Sequence, residues 1–304
     1  MRFLLLILLF SLISCHSRDV NEFRDDQRPL VVVTTNLLAD VVRNIVGDSV
    51  RVGSLMGAGV DPHLYKASIG DLKQLLAADI VLYQGLHLEG KLGEVLAKLG
   101  RTKEVMALAD HIPSAKIRYV DESHAIPDPH IWFDVSIWKE VVESACVKLS
   151  ERLPAYAVYF RANTDRYLSE LDELDQYVRE QVHSIDREKR VLITSHDAFN
   201  YFGNAYDIEV RGLQGVSTLS EFGLKDISDL VKTVINRNIA AVFVETSVSS
   251  RSLQAVVAGV RERGKELSIG GMLYTDALGE SGQAEGTYIG MMRYNVNTIV
   301  KGLK

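Results

Sequence analysis

The chain has two cysteines, six prolines and two tryptophans in 304 residues, and each scarcity narrows what it can be. Cys15 and Cys146 are too few for a disulfide framework or a thiolate-rich metal site. Basic residues are not in excess. Thirty-four Lys and Arg stand against 40 Asp and Glu, a net charge of −6 that leaves no electrostatic footprint for nucleic acid. The one long apolar run, Phe3 to Ile13, falls short of the ~20 residues that span a bilayer. No repeat of solenoid period and no low-complexity tract occurs. No H-E-x-x-H pattern places a general base beside a metal ligand.

The N-terminus has the layout of an export signal. Arg2 is followed by the apolar run and then by Leu12-Ile13-Ser14-Cys15, which resembles a bacterial lipobox. The reading is a signal peptide over 1–14, a lipid on Cys15 and a polar tether over 15–28. With Cys15 lipidated, no disulfide can form within the chain. Cys146, in the helical pattern VVESACVKL, is expected in the core.

From residue 29, aliphatic runs alternate with amphipathic patterns. Strands are expected over 29–35, 50–57, 79–85 and 103–108, with helices between them. Continuous aliphatic strands in a β-α-β-α rhythm imply an α/β fold with mainly parallel sheets flanked by helices. The rhythm breaks over 135–184. One helix runs through VSIWKEVVESACVKLSERL, and Pro154 opens a second of ~28 residues and ~42 Å. Its apolar stripe reads as Tyr156, Tyr159, Ala162, Leu168, Leu171, Leu174, Tyr177, Val178 and Val182. A second α/β pattern follows, with strands at 190–195, 207–213, 239–245 and 265–274 and a closing helix at 285–303. The expected organisation is an N-terminal lobe (29–153), one long rigid backbone helix (154–184) and a C-terminal lobe (185–304).

Two of the six prolines sit in a repeated tripeptide, Asp61-Pro62-His63 and Asp128-Pro129-His130. Each offers a histidine from a loop stiffened by proline. His196 follows the aliphatic run VLITS, and Asp276 follows GGMLYT. Ligand groups collect at the carboxyl ends of strands in open α/β sheets. His63, His130, His196 and Asp276 therefore make a candidate four-ligand set for a divalent first-row metal, lying between the lobes. His87, His111, His124 and His183 lack this context and are expected to be packing or solvated side chains. A three-histidine site should lose affinity below the free imidazole pKa of ~6.5.

The chain resembles the TroA-like cluster of metal-binding lipoproteins, the solute receptors of zinc and manganese ABC importers. The resemblance runs over residues 30–303 and is carried by LMGAGVDPHLYKAS, LYQGLHLEGKLGEVL, DPHIWFDVSIWKEV, RVLITSHDAFNYFGNAYDIEVRGLQGVSTLSE, AVFVETSV and LYTDALGESGQAEGTYIGMMRYNVNTIV. It implies two α/β lobes joined by a rigid helix, with metal in the cleft, and by motif match its ligands fall on His63, His130, His196 and Asp276. The implied partners are a membrane permease with its ATPase, and the implied location is periplasmic or extracytoplasmic, for a monomer anchored to a membrane through the lipid on Cys15. Members with Glu at the third ligand position lean toward manganese, whereas here that position is His196. Dedicated zinc receptors often carry a His-rich loop, and 87–129 holds only scattered histidines. Zn²⁺, Mn²⁺ and Fe²⁺ all stay open as cargo. The alternatives are a receptor for a metal chelate, an adhesin on the same shell, and a mononuclear metal hydrolase.

Overall fold

The computed structural model describes residues 26–120, 123, 126–219 and 223–304. The signal, Cys15 and most of the tether lie outside the described residues, as does His124.

Two four-stranded sheets form from the aliphatic runs. The first contains β1 (Leu30–Val33), β2 (Arg51–Ser54), β3 (Ile80–Tyr83) and β4 (Glu104–Ala107) in the order β2-β1-β3-β4. The second contains β5 (Val191–His196), β6 (Glu209–Gln214), β7 (Ala241–Glu245) and β8 (Ser268–Leu273) in the order β6-β5-β7-β8. Every pairing is parallel, with Leu30 opposite Arg51 in one sheet and Val191 opposite Glu209 in the other. Of the four inner strands, β1 and β5 are buried along their whole length, as strands covered on both faces must be. In both sheets the chain order reverses beside the first strand, so a crevice opens at the carboxyl ends of β1 and β3 and again at those of β5 and β7.

The helices start where the sequence supplies caps. Thr35 accepts the Leu38 N–H at the start of α1 (Asn36–Val46). Ser68 and Asp71 form a reciprocal capping box on α2 (Ile69–Ala77). Asp134 caps α4 (Val135–Arg152), which follows α3 (Leu92–Leu99). Pro154 begins a 3₁₀ turn that leads into α5 (Ala157–His183), a helix of 27 residues spanning about 40 Å. The second half adds α6 (Asn200–Tyr206), α7 (Leu224–Asn236), α8 (Arg251–Glu262) and α9 (Tyr288–Leu303).

The buried face of α5 keeps Leu171, Leu174, Val178 and Val182 of the expected stripe, with Tyr156, Leu168 and Tyr177 packed against the core, and differs at its first turns. Phe160, Thr164, Tyr167, Leu171, Leu174, Val178 and Val182 point inward, whereas Tyr159 is 47% exposed and Ala162 also faces solvent. The stripe includes polar members satisfied locally. Asn163 Nδ2 donates to the Ile45 carbonyl at 2.9 Å, and Thr164 Oγ1 to the Phe160 carbonyl at 2.8 Å.

One apolar core runs through both halves. It joins Val33, Leu37 and Val41 to Trp138 and Leu171, and these to Phe202, Tyr288 and Val296. Smaller cores fill the outer faces, beneath α2 and α3 on one sheet and α7 and α8 on the other. Cys146 is buried in the shared core. Asp40 bolts three helices together, because its Oδ2 accepts the Tyr167 hydroxyl and the Tyr288 N–H, each at 3.1 Å. Asn36 and Leu278 exchange two hydrogen bonds, at 3.2 and 3.0 Å. Among the described residues no helix is long and apolar enough to cross a membrane.

Candidate metal centre

The facing crevices of the two sheets bring His63, His130, His196 and Asp276 together. His196 is the last residue of β5. Asp276 lies three residues past the end of β8, and His63 lies in the loop between β2 and α2. His130 precedes a 3₁₀ turn that feeds α4. The two Asp-Pro-His tripeptides fold alike. Asp61 Oδ1 accepts the His63 N–H at 2.8 Å, and Asp128 Oδ1 accepts the His130 N–H at 3.0 Å. The aspartate thus shapes the turn that presents its own histidine.

One donor atom of each residue lies within 4.8 Å of the other three, and all four side chains are buried. His130 Nε2 is 3.4 Å from His63 Nε2 and 3.3 Å from His196 Nε2. Asp276 Oδ1 is 3.4 Å from His130 Nε2 and 3.5 Å from His196 Nε2. A regular tetrahedron of donors at about 2.0–2.1 Å from a central ion has edges of about 3.3–3.4 Å. Asp276 Oδ1 is buried and accepts no well-formed hydrogen bond. Leaving such an oxygen unmatched is costly, and a cation among the four donors would match it.

Three groups behind these donors escape sequence reasoning. Glu245, the last residue of β7, takes the His196 N–H on Oε1 at 2.9 Å and contacts His196 Nδ1 through Oε2. Asp128 Oδ1 stands 2.8 Å from His130 Nδ1. A carboxylate on Nδ1 holds the proton there and turns the Nε2 lone pair toward the centre. Ser247 Oγ donates to Asp276 Oδ2 at 3.2 Å, which leaves Oδ1 facing the imidazoles. The signals were a lone acid ending an aliphatic strand and the aspartate inside the tripeptide itself. Neither identifies its partner without the fold.

Electrostatics divides the three histidines. Burial pushes His63 down to about 4. Burial acts the same way on His130, but Asp128 and Asp276 outweigh it and hold that imidazole above its ordinary value. His196, buried between Glu245 and Asp276, lies well above it. Burial would raise Asp276, yet His196 and His130 hold its carboxyl well below the usual range. The single onset near ~6.5 expected for all three imidazoles is therefore replaced by one low and two raised values. The acids beside His130 and His196 favour their protonated forms, and a cation competes with those protons.

His87, His111 and His183 are exposed and stand outside the cluster.

Comparison with known proteins agrees with this geometry. A family model described as zinc-uptake complex component A, periplasmic (ZnuA) matches residues 31–302. The manganese-binding lipoprotein MntA of Bacillus subtilis (strain 168) is 48% identical, over 97% of this chain and 96% of its own length. The zinc-binding protein TroA of Treponema pallidum (strain Nichols) is 44% identical, over 91% of this chain and 90% of its own length. The solved structure of the Treponema pallidum periplasmic zinc-binding protein TroA superposes with a TM-score of 0.88, covering 91% of this chain and 99% of that one. The two-sheet α/β fold with its long connecting helix is the fold of that structure. The chain belongs to the ZnuA family of periplasmic metal-uptake components.

Proposed function

We propose that this protein is the extracytoplasmic solute-binding component of an ABC-type importer, which captures one divalent cation and hands it to a membrane permease driven by an ATPase. The observation that carries the reading is the buried His63–His130–His196–Asp276 cluster, with four donor pairs spaced for a single small ion. The cargo is Zn²⁺ or Mn²⁺, the ions in the names of the two similar relatives, with Fe²⁺ compatible with the same donors. Tetrahedral spacing and imidazole nitrogens suit Zn²⁺. Asp276 Oδ2, held by Ser247, offers a fifth donor to an ion that needs a larger shell. Zinc binds such donors more tightly than manganese in a test tube, so availability in the envelope decides the physiological cargo.

No bond is broken in this reading. Four protein donors fill a tetrahedral shell and leave no position for a metal-bound water nucleophile. The lobes at 29–153 and 185–304 close on the ion, and the helix over 154–184 is their common spine. The chain acts as a monomer, and a lipid on Cys15 keeps it at the membrane surface beside its permease.

The test is metal analysis of protein purified from its native envelope, followed by competition titration of variants. One ion per chain is expected. His63→Ala, His130→Ala and His196→Ala should each weaken binding by more than the roughly 10–100-fold that supporting residues control. His183→Ala, on an exposed site at the end of α5, should bind as the parent does. A parent protein that holds no ion, or a His183→Ala variant as impaired as the others, would refute the proposal.

A further inference from the structure

We propose that the hydrogen bond between Asp61 and Thr218 is a latch across the mouth of the cleft, and that Thr218 is a positioning residue setting how fast the ion leaves. The inference rests on the metal-capture reading above. It begins with a difference between the two Asp-Pro-His turns. Asp128 Oδ1 turns back to the His130 ring, and its Oδ2 accepts Asn200 Nδ2 of the other half at 3.2 Å. Its carbonyl accepts the Tyr201 hydroxyl at 3.0 Å, and Gln84 Nε2 donates to the Pro129 carbonyl at 2.6 Å. The His130 turn is thus clamped from both halves. The His63 turn crosses to the other half through Asp61 Oδ2, which accepts the Thr218 hydroxyl at 2.6 Å, in the segment that follows β6.

His63 depends on this contact more than its neighbours would. Glu245 stands behind His196 and Asp128 behind His130, whereas among the described residues no carboxylate bonds the His63 ring from behind. Its placement comes from the loop that carries it. That loop turns at Gly59, with φ +68°, where a Cβ would lie 3.9 Å from the Thr246 carbonyl oxygen of the other half. Asp61 joins the two ends of the device, because one oxygen fixes the His63 backbone and the other fixes Thr218.

The latch also borders the way out. A cavity of about 380 Å³ is walled by Asp61 and Leu64 on one side and by Thr218, Ser247 and Arg251 on the other. Ser247 reaches the Asp276 carboxylate and Asp61 holds the His63 backbone, so the cavity ends against groups that support two of the four clustered residues. The donors are buried, and an ion leaving by this route must part the two walls. Breaking the Asp61–Thr218 bond is one cost of that opening.

The experiment mixes zinc-loaded protein with excess chelator and follows release by stopped flow, for the parent and for Thr218→Val, Thr218→Ala and Thr218→Ser. Val and Ala remove the hydroxyl and Ser keeps it. Release about tenfold faster is expected for Val and Ala, with Ser within about twofold of the parent, as for loss of one hydrogen bond to a carboxylate. In the metal-free protein, amide exchange over residues 57–63 should rise in the Val and Ala variants and not in Ser. Release from both the Val and Ala variants within about twofold of the parent, or a Ser variant as fast as they are, would overturn the latch. A parent that binds no zinc would instead overturn the metal-capture reading beneath it.

Discussion

Replacing Glu245 with Gln keeps the shape of the side chain and exchanges one oxygen for a nitrogen. In the native site both carboxylate oxygens act as acceptors, one for the His196 N–H at 2.9 Å and one for His196 Nδ1. Gln has one acceptor and one donor group, so one of these contacts must fail. If the amide nitrogen faces Nδ1, the ring is driven to the tautomer that carries its proton on Nε2, the atom that faces the cluster. If the amide nitrogen faces the backbone, two N–H groups oppose each other in a buried space. Glu245 is 4% exposed, so water cannot relieve either arrangement. Carboxylates behind metal-bound histidines typically control about 10–100-fold in affinity, or roughly 1.4–2.8 kcal/mol. Glu245→Gln is expected to weaken Zn²⁺ binding by that factor in a chelator competition titration, with all four donors intact. It should also lower the number of protons released on binding, because Glu245 is the largest influence raising His196 against burial. A variant that binds within about twofold of the parent and releases as many protons would refute the role given to this carboxylate.

Two further outcomes are expected. His196 and His130 hold their protons above the ordinary imidazole value in the metal-free protein, so the ion displaces those protons. Affinity should rise with pH through neutrality, by up to about tenfold per pH unit for each proton displaced. His63, at about 4, should contribute nothing to that slope near neutral pH. Competition titrations give the profile, and a flat line above about pH 6.5 would contradict it. Gly212→Ala tests how β6 supports His196. A Cβ at Gly212 would sit 2.4 Å from the Asp197 nitrogen and 2.5 Å from the His196 carbonyl carbon. The backbone carrying His196 must shift, so zinc affinity should fall and stability should drop by about 1–3 kcal/mol, read by titration and by denaturant melts. An unchanged affinity would show that His196 tolerates the displacement.

Much of this architecture is legible in the sequence because parallel strands buried on both faces advertise themselves as aliphatic runs. LVVV, IVLY and AVFVE each became a strand, and each lost a residue or two at its ends relative to the expected span. His196 and Asp276 were legible for a related reason, since a histidine or acid at the end of such a run sits where a parallel sheet opens, whereas His63 and His130 were marked by the repeated Asp-Pro-His tripeptide. What could not be read depends on neighbours in space. Glu245 lies beside His196 because the strand order places β7 next to β5, a fact that spacing along the chain does not contain. The stripe on α5 departs from the expected one at its N-terminal turns, where Asn163 and Thr164 belong to it. A hydrophobic pattern skips such residues and substitutes Tyr159 and Ala162, both of which face solvent. Thr218 looks like any loop threonine until Asp61, 157 positions earlier, is seen across the cleft.

X-ray absorption on the protein loaded with one equivalent of zinc reports the shell around the ion directly. Three imidazole nitrogens and one carboxylate oxygen at about 2.0–2.1 Å are the expected result, from a chain that binds a single ion. A shell with fewer than three imidazoles, or a protein that retains no zinc after desalting, would contradict convergence of His63, His130, His196 and Asp276 on one cation.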